Sequence, residues 1–152
     1  MKNSAVQFAF GFLAIILFAG AEEMLPHFLG VGFPLLLAAV QFFAVRCTPV
    51  AMAILALAAG GAEDALSSLP TMTSVSYFLI VAVFTRWSGL PRAAAVLTYP
   101  CYQLWLLAWV SALGGGIFGR LLVSVPIGLA TAAATWTALS WLAERASIDE
   151  IE

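Results

Sequence analysis

Arg46-Cys47-Thr48-Pro49-Val50-Ala51-Met52-Ala53-Ile54-Leu55-Ala56-Leu57-Ala58-Ala59-Gly60-Gly61-Ala62-Glu63-Asp64 holds a polar-free run, Val50 to Gly61, between an arginine and two carboxylates. Pro49 suits the start of a helix, where the missing N–H costs no hydrogen bond. At 1.5 Å per residue, Asp64 lies about 22 Å along the axis from Pro49. The hydrocarbon core of a bilayer is about 30 Å thick. The stretch therefore reads as a membrane helix with one basic and one acidic end.

The rest of the chain repeats this arrangement. Lys2 precedes the first apolar run, Arg46 follows the second, Arg86 and Arg92 follow the fourth, and Arg145 closes the last. Glu22, Glu23, Glu63 and Asp64 occupy intervening seams, and only Arg120 is a basic residue at an odd-numbered one. Cytoplasmic loops are enriched in Lys and Arg. The alternation predicts an all-α polytopic membrane protein of about six transmembrane helices with short loops and both termini in the cytoplasm.

Composition points the same way. Hydrophobic residues make up 63% of the 152-residue chain and charged residues 9%, and mean hydropathy is +1.04. Soluble domains carry about 25% charged residues, and one core of this size could not hide so much apolar surface. A net charge of −2 with six basic residues leaves no phosphate-binding patch for nucleic acid. Cys47 and Cys101 show neither a CxxC nor a zinc-binding spacing, and read as small hydrophobes.

The expected spans are about Val6–Ala21, Leu29–Val45 with Pro34 in its first turns, Pro49 to Gly61 or beyond, Val75–Phe84 with its flanks, Ala93–Leu113 and Ile117–Leu142. Residues 1–146 form a single transmembrane helical domain, and 147–152 a short acidic cytoplasmic tail. Lys2, the run Ala5–Phe18 and Ala19-Gly20-Ala21 also fit a signal peptide. The length of that run and the charge alternation favour a retained first span. Cys47-Thr48-Pro49 and Ser88-Gly89-Leu90-Pro91 read as tight turns, with Gly114-Gly115-Gly116 between the last two spans. Ala5-x-x-x-Ala9 and Gly128-x-x-x-Ala132 would allow close helix approach. Pro100 and Pro126 are expected to kink their helices. Trp87 and Trp141 are placed as interfacial anchors, and Trp105 and Trp109, four apart, share one helix face.

The candidate site is Gly60-Gly61-Ala62-Glu63-Asp64-Ala65-Leu66-Ser67-Ser68-Leu69-Pro70. An ionisable group at membrane depth marks a site, a pair or a water-filled cavity. The competing reading ends the helix at Gly60-Gly61 and leaves both carboxylates among the headgroups. Gly60, Gly61, Glu63, Asp64 and Pro70 are the residues singled out as a partner-binding or structural polar site. His27, Arg120, Ser67, Ser68 and Thr71 are candidate neighbours. Glu63 and Asp64, adjacent on a helix, point about 100° apart, which suits no shared reaction centre. His27 has no nucleophile in a recognisable context, and no H-E-x-x-H, G-x-S-x-G or phosphate-binding loop is present. No catalytic, cofactor or metal site is expected.

Val40-Gln41-Phe42-Phe43-Ala44-Val45-Arg46 precedes this segment, and Tyr77-Phe78-Leu79-Ile80-Val81-Ala82 follows it, closed by Arg86. With Gly60-x-x-x-Asp64-Ala65-Leu66-Ser67-Ser68-x-Pro70, the pattern resembles the rod-shape-determining membrane protein MreD family. In that family the third span ends in a Gly-Leu-x-x-Asp-like motif, and a Pro-Leu-Gly-type turn and a helix with a tyrosine follow. Glu63 is an added acid before Asp64, and the turn reads Pro70-Thr71-Met72 without the family's glycine. The motif covers about a third of the chain; length, span count and short loops agree over the rest.

The resemblance implies a scaffold of the bacterial cell-elongation complex in the inner membrane. It would bind an MreC-like single-span periplasmic partner and work with MreB-like and peptidoglycan polymerase/transpeptidase machinery. It also implies a compact six-helix fold similar to the substrate-binding subunits of energy-coupling-factor transporters, holding a partner helix in a lipid-facing groove. The alternative is such a transporter subunit itself, taking a vitamin or metal ion into a pocket lined by Glu63, Asp64, His27 and Trp109. A third reading is a small membrane protein that associates with its own copies.

Overall fold

The computed structural model describes residues 2–29, 34–67, 72–88, 91–112 and 118–145, with side chains described for 5–25, 34–67, 72–88, 98–108 and 125–145. These form helices α1 (Lys2–Leu29), α2 (Leu35–Ala44), α3 (Pro49–Leu66), α4 (Thr73–Ser88), α5 (Pro91–Ala112) and α6 (Phe118–Arg145). Gly114-Gly115-Gly116, the tail 147–152, Ser68, Pro70 and Thr71 lie outside the described residues, as do the side chains of His27, Trp109 and Arg120.

The short helix α2 is the axis of the bundle. Every residue from Leu36 to Ala44 is buried, and α1, α3, α4, α5 and α6 all pack against it. Those five form an open ring in the order α1, α3, α4, α5, α6. No close α1–α6 contact occurs among the described residues. A helix apolar on all sides belongs in a core, and Leu-Leu-Leu-Ala-Ala-Val-Gln-Phe-Phe-Ala is such a segment. Its 10 residues span about 15 Å, half a hydrocarbon core. The expected second span, Leu29–Val45, is thus longer than the helix found. Pro34 precedes α2 as its N-cap instead of lying in its first turns, because the first helical carbonyl acceptor is Pro34 itself, bonded by Ala38 N at 3.2 Å.

α1 is longer than expected, running through Glu22 and Glu23 to Leu29. It packs through Gln7, Gly11, Ala14 and Ile15, all buried. A Cβ at Gly11 would come 2.8 Å from Leu55 Cδ1. Ala5 and Ala9 are exposed on the opposite side, away from the face that packs. Gly128-x-x-x-Ala132, by contrast, is buried; a Cβ at Gly128 would overlap the Tyr99 ring of α5. α5 and α6 continue helically through Pro100 and Pro126.

Thr48 caps α3, its hydroxyl accepting from Ala51 N, with Pro49 as the first helical residue. Polar groups face inward, with Gln7, Gln41, Thr85 and Thr98 buried, while Leu17, Val50, Ile80 and Leu104 face outward. Gln41 Nε2 donates to Thr98 Oγ1 across the core. Ala5–Leu25, Pro49–Leu66 and Val125–Arg145 are each long and apolar enough to cross a membrane. The all-helical fold with these three helices is that of an all-α membrane protein. α4, with 16 residues, reaches about 24 Å and would need local thinning of the bilayer to cross.

The two ends of the bundle carry opposite chemistry. At one, Arg86 Nη1 donates to Ala44 O at 3.1 Å and Cys47 O at 2.7 Å, satisfying carbonyls at the C-terminus of α2. Arg46 lies 3.9 Å from the Phe42 ring centroid. Trp87 is 83% exposed, and Arg145 covers Trp141. Glu22, Glu63 and Asp64 lie at the other end.

Candidate functional site: a carboxylate knot between four helices

α3 does not stop at Gly60-Gly61 but continues to Leu66, so Glu63 and Asp64 are helical residues. Asp64 is 6% exposed, and its Oδ1 accepts from Ser74 N at 2.7 Å. The first N–H groups of a helix have no partner of their own, and a carboxylate is well matched to that end of the dipole. Asp64 therefore caps α4 from the neighbouring helix.

Gly60 makes the approach possible. A Cβ there would lie 2.5 Å from Val75 Cα and 2.7 Å from Val75 N, backbone atoms that cannot rotate away. Gly60 and Asp64, one turn apart, share a face; the glycine admits the first turn of α4 and the aspartate binds it. Gly61 has nothing within 4 Å of its Cβ direction and takes no part in this contact.

Glu63 faces a different set of neighbours. Its Oε1 accepts from Ser67 Oγ at 3.2 Å and Tyr102 OH at 3.4 Å. The Tyr102 hydroxyl also bonds Ser74 Oγ at 2.8 Å. Glu22, one of the residues that sequence reasoning missed, comes from α1. Its Oε1 accepts from Leu36 N at 2.9 Å, capping α2, and its carboxyl faces that of Glu63 within hydrogen-bonding reach. Tyr102 OH thus links Glu63 to Ser74, the residue whose N–H Asp64 accepts. Trp105 Nε1 donates to Thr73 O at 3.1 Å, and the Tyr77 and Tyr102 rings are 4.9 Å apart.

Of the expected residues, Gly60, Glu63 and Asp64 meet here with Ser67, whereas Gly61 stands apart. Pro70, Ser68, Thr71 and the side chains of His27 and Arg120 lie outside the described residues. Glu22, Ser74 and Tyr102 complete the knot. A sequence signal for Glu22 exists: Gln7, Gly11, Ile15, Phe18 and Glu22 recur at helical spacing. Among the described residues, no three His, Cys, Asp or Glu side chains gather closely enough to hold a metal ion.

Met72, just before α4, has φ 75°, the left-handed region that glycine adopts without strain. No protein-family model, curated protein or solved structure shows significant similarity to the chain.

Proposed function

We infer that the chain is an MreD-like integral membrane scaffold of the cell-elongation complex, in the bacterial inner membrane, and that it binds an MreC-like single-span partner. The observation that carries the reading is the turn before α4. Where the resemblance expects glycine, this chain has Met72 in a left-handed conformation. Gly60-x-x-x-Asp64 forms one docking device on the helix after that turn, and the helix contains the expected tyrosine, Tyr77. A binding role without turnover also suits a site in which Asp64 caps α4 and Glu63 bonds Tyr102 across helices.

Depletion of the protein in its host tests this. Rods are expected to widen and round; rods that keep their width would sink the reading. A single-span partner should co-purify in mild detergent. Asp64→Asn keeps an oxygen acceptor for Ser74 N but removes the charge, so it is expected to weaken partner recovery while membrane insertion and folding persist. Undiminished recovery would remove Asp64 from the partner interface.

A further inference from the structure

We propose that the knot of Glu22, Glu63 and Asp64 is a receptor for one cationic group of the guanidinium or ammonium type. Glu63 and Asp64 meet around Tyr102 and Ser74, with Glu22 of α1 beside Glu63, yet no basic side chain pairs with any of them among the described residues. Asp64 Oδ2 is buried without a hydrogen-bond partner, and Glu22 Oε2 is buried with another acid, Glu63, as its carboxyl neighbour. Asp64 is itself more than nine-tenths buried. A buried carboxylate oxygen left unmatched is costly, and in apolar surroundings the natural complement is a cation.

The shape of the knot selects the kind of cation. A bare ion needs several oxygens at about 2.0–2.6 Å, and no such gathering exists among the described residues. A guanidinium presents five donors in a planar fork and can reach carboxylates that are spread apart. Glu22 and Glu63 are half-buried, so the group enters past them towards Asp64. Basic residues of this chain at the opposite end are already engaged, Arg86 on Ala44 and Cys47 carbonyls. The scaffold reading matters here only for the source of the cation, an arginine or lysine near the end of a partner's membrane helix.

The purified protein in detergent should gain roughly 3 °C or more in melting temperature with saturating methylguanidinium, against sodium chloride at matched ionic strength. Glu63→Gln should abolish that gain, and Asp64→Asn, which retains the cap on α4, should reduce it. In vesicles, a leucine–alanine model helix carrying one arginine near its end should associate at least about tenfold more tightly than its glutamine twin, as a charge-assisted pair implies. A methylguanidinium response without that preference supports the site with a free cation as occupant. No response in the unaltered protein overturns the proposal. So does stabilisation by acid alone, which assigns the knot to a bound proton. An Arg120→Gln variant that gains a response absent from the unaltered protein overturns it as well, because the chain would then fill the knot itself. Rods that survive depletion while the methylguanidinium response is intact would remove the scaffold reading and leave the receptor standing.

Discussion

Two adjacent glycines in α3 have opposite consequences. A methyl group at Gly60 would press on the Val75 backbone at 2.5 Å, so Gly60→Ala must push α4 away and lengthen the Asp64–Ser74 cap. Overpacking of this kind costs about 1–3 kcal/mol, or roughly 2–4 °C in melting temperature per kcal/mol. Gly61 meets open space, and Gly61→Ala should gain about 0.5–1 kcal/mol from helix propensity. Thermal unfolding of the two variants in one detergent checks the pair; equal shifts would contradict the packing described here. Met72 supplies a third residue-scale test. A left-handed backbone costs an L-residue roughly 1–2 kcal/mol, partly offset by the greater freedom of glycine in the unfolded chain. Met72→Gly should therefore raise stability by up to about 1 kcal/mol, measured in the same way, and a loss would remove the strain argument.

At the scale of elements, the C-terminus of α2 depends on a side chain from α4. Arg86 satisfies both Ala44 O and Cys47 O, and Arg86→Leu should cost about 2–3 kcal/mol, as hydrogen bonds to a charged group do. Cys47 reports on the same turn. Burial pushes its thiol from 9.0 to about 11, against the opposing pull of Arg86 and Arg46. A rise of about two pH units leaves about a hundredfold less thiolate at pH 8, since each unit is tenfold. Maleimide labelling of Cys47, which is also buried, should be slower by at least that factor than labelling of an ordinary exposed thiol. It should quicken with pH up to about 11, where the thiol loses its proton. Losing Arg86 raises the thiol further, so faster labelling of Arg86→Leu can come only from opening of the turn. These element-level pairings were the least legible part of the sequence. The spacing of Gly60 and Asp64 was visible, and so was Pro49 as a helix start. That Gly60 meets Val75, or that Glu22 caps α2, depends on contacts between distant segments that helical periodicity does not encode. The length of α2 was hidden for a related reason: an all-apolar segment carries no polar marker of where its helix begins.

For the molecule as a whole, the carboxylate knot and the arginine end fix the sense in which the helices run. Arg86, in the last turn of α4, bonds Cys47 just before α3 begins, while Gly60 and Asp64 late in α3 meet Val75 and Ser74 early in α4. α3 and α4 are therefore antiparallel over their whole lengths, with Arg46 and Arg86 at one end. This is the arrangement that the charge alternation requires, reached from side-chain contacts alone. From Pro49 to Glu63 the axis covers about 21 Å, and α1 runs on past Glu22 to Leu29, roughly another 10 Å. The knot thus lies below the far end of α1, and an α3 that crosses would carry it within the apolar depth of a bilayer about 30 Å thick. Single cysteines at Thr48, Ser88 and Arg145, in a Cys47→Ser, Cys101→Ser background, should be modified by an impermeant maleimide from the same side of intact inverted vesicles. Reporter fusions after Ser88 and Arg145 should give the cytoplasmic signal. If Thr48 and Ser88 were modified from opposite sides, α3 and α4 could not both cross. The knot would then lie at a water-facing surface, where hydrated carboxylates need no cation to complete them.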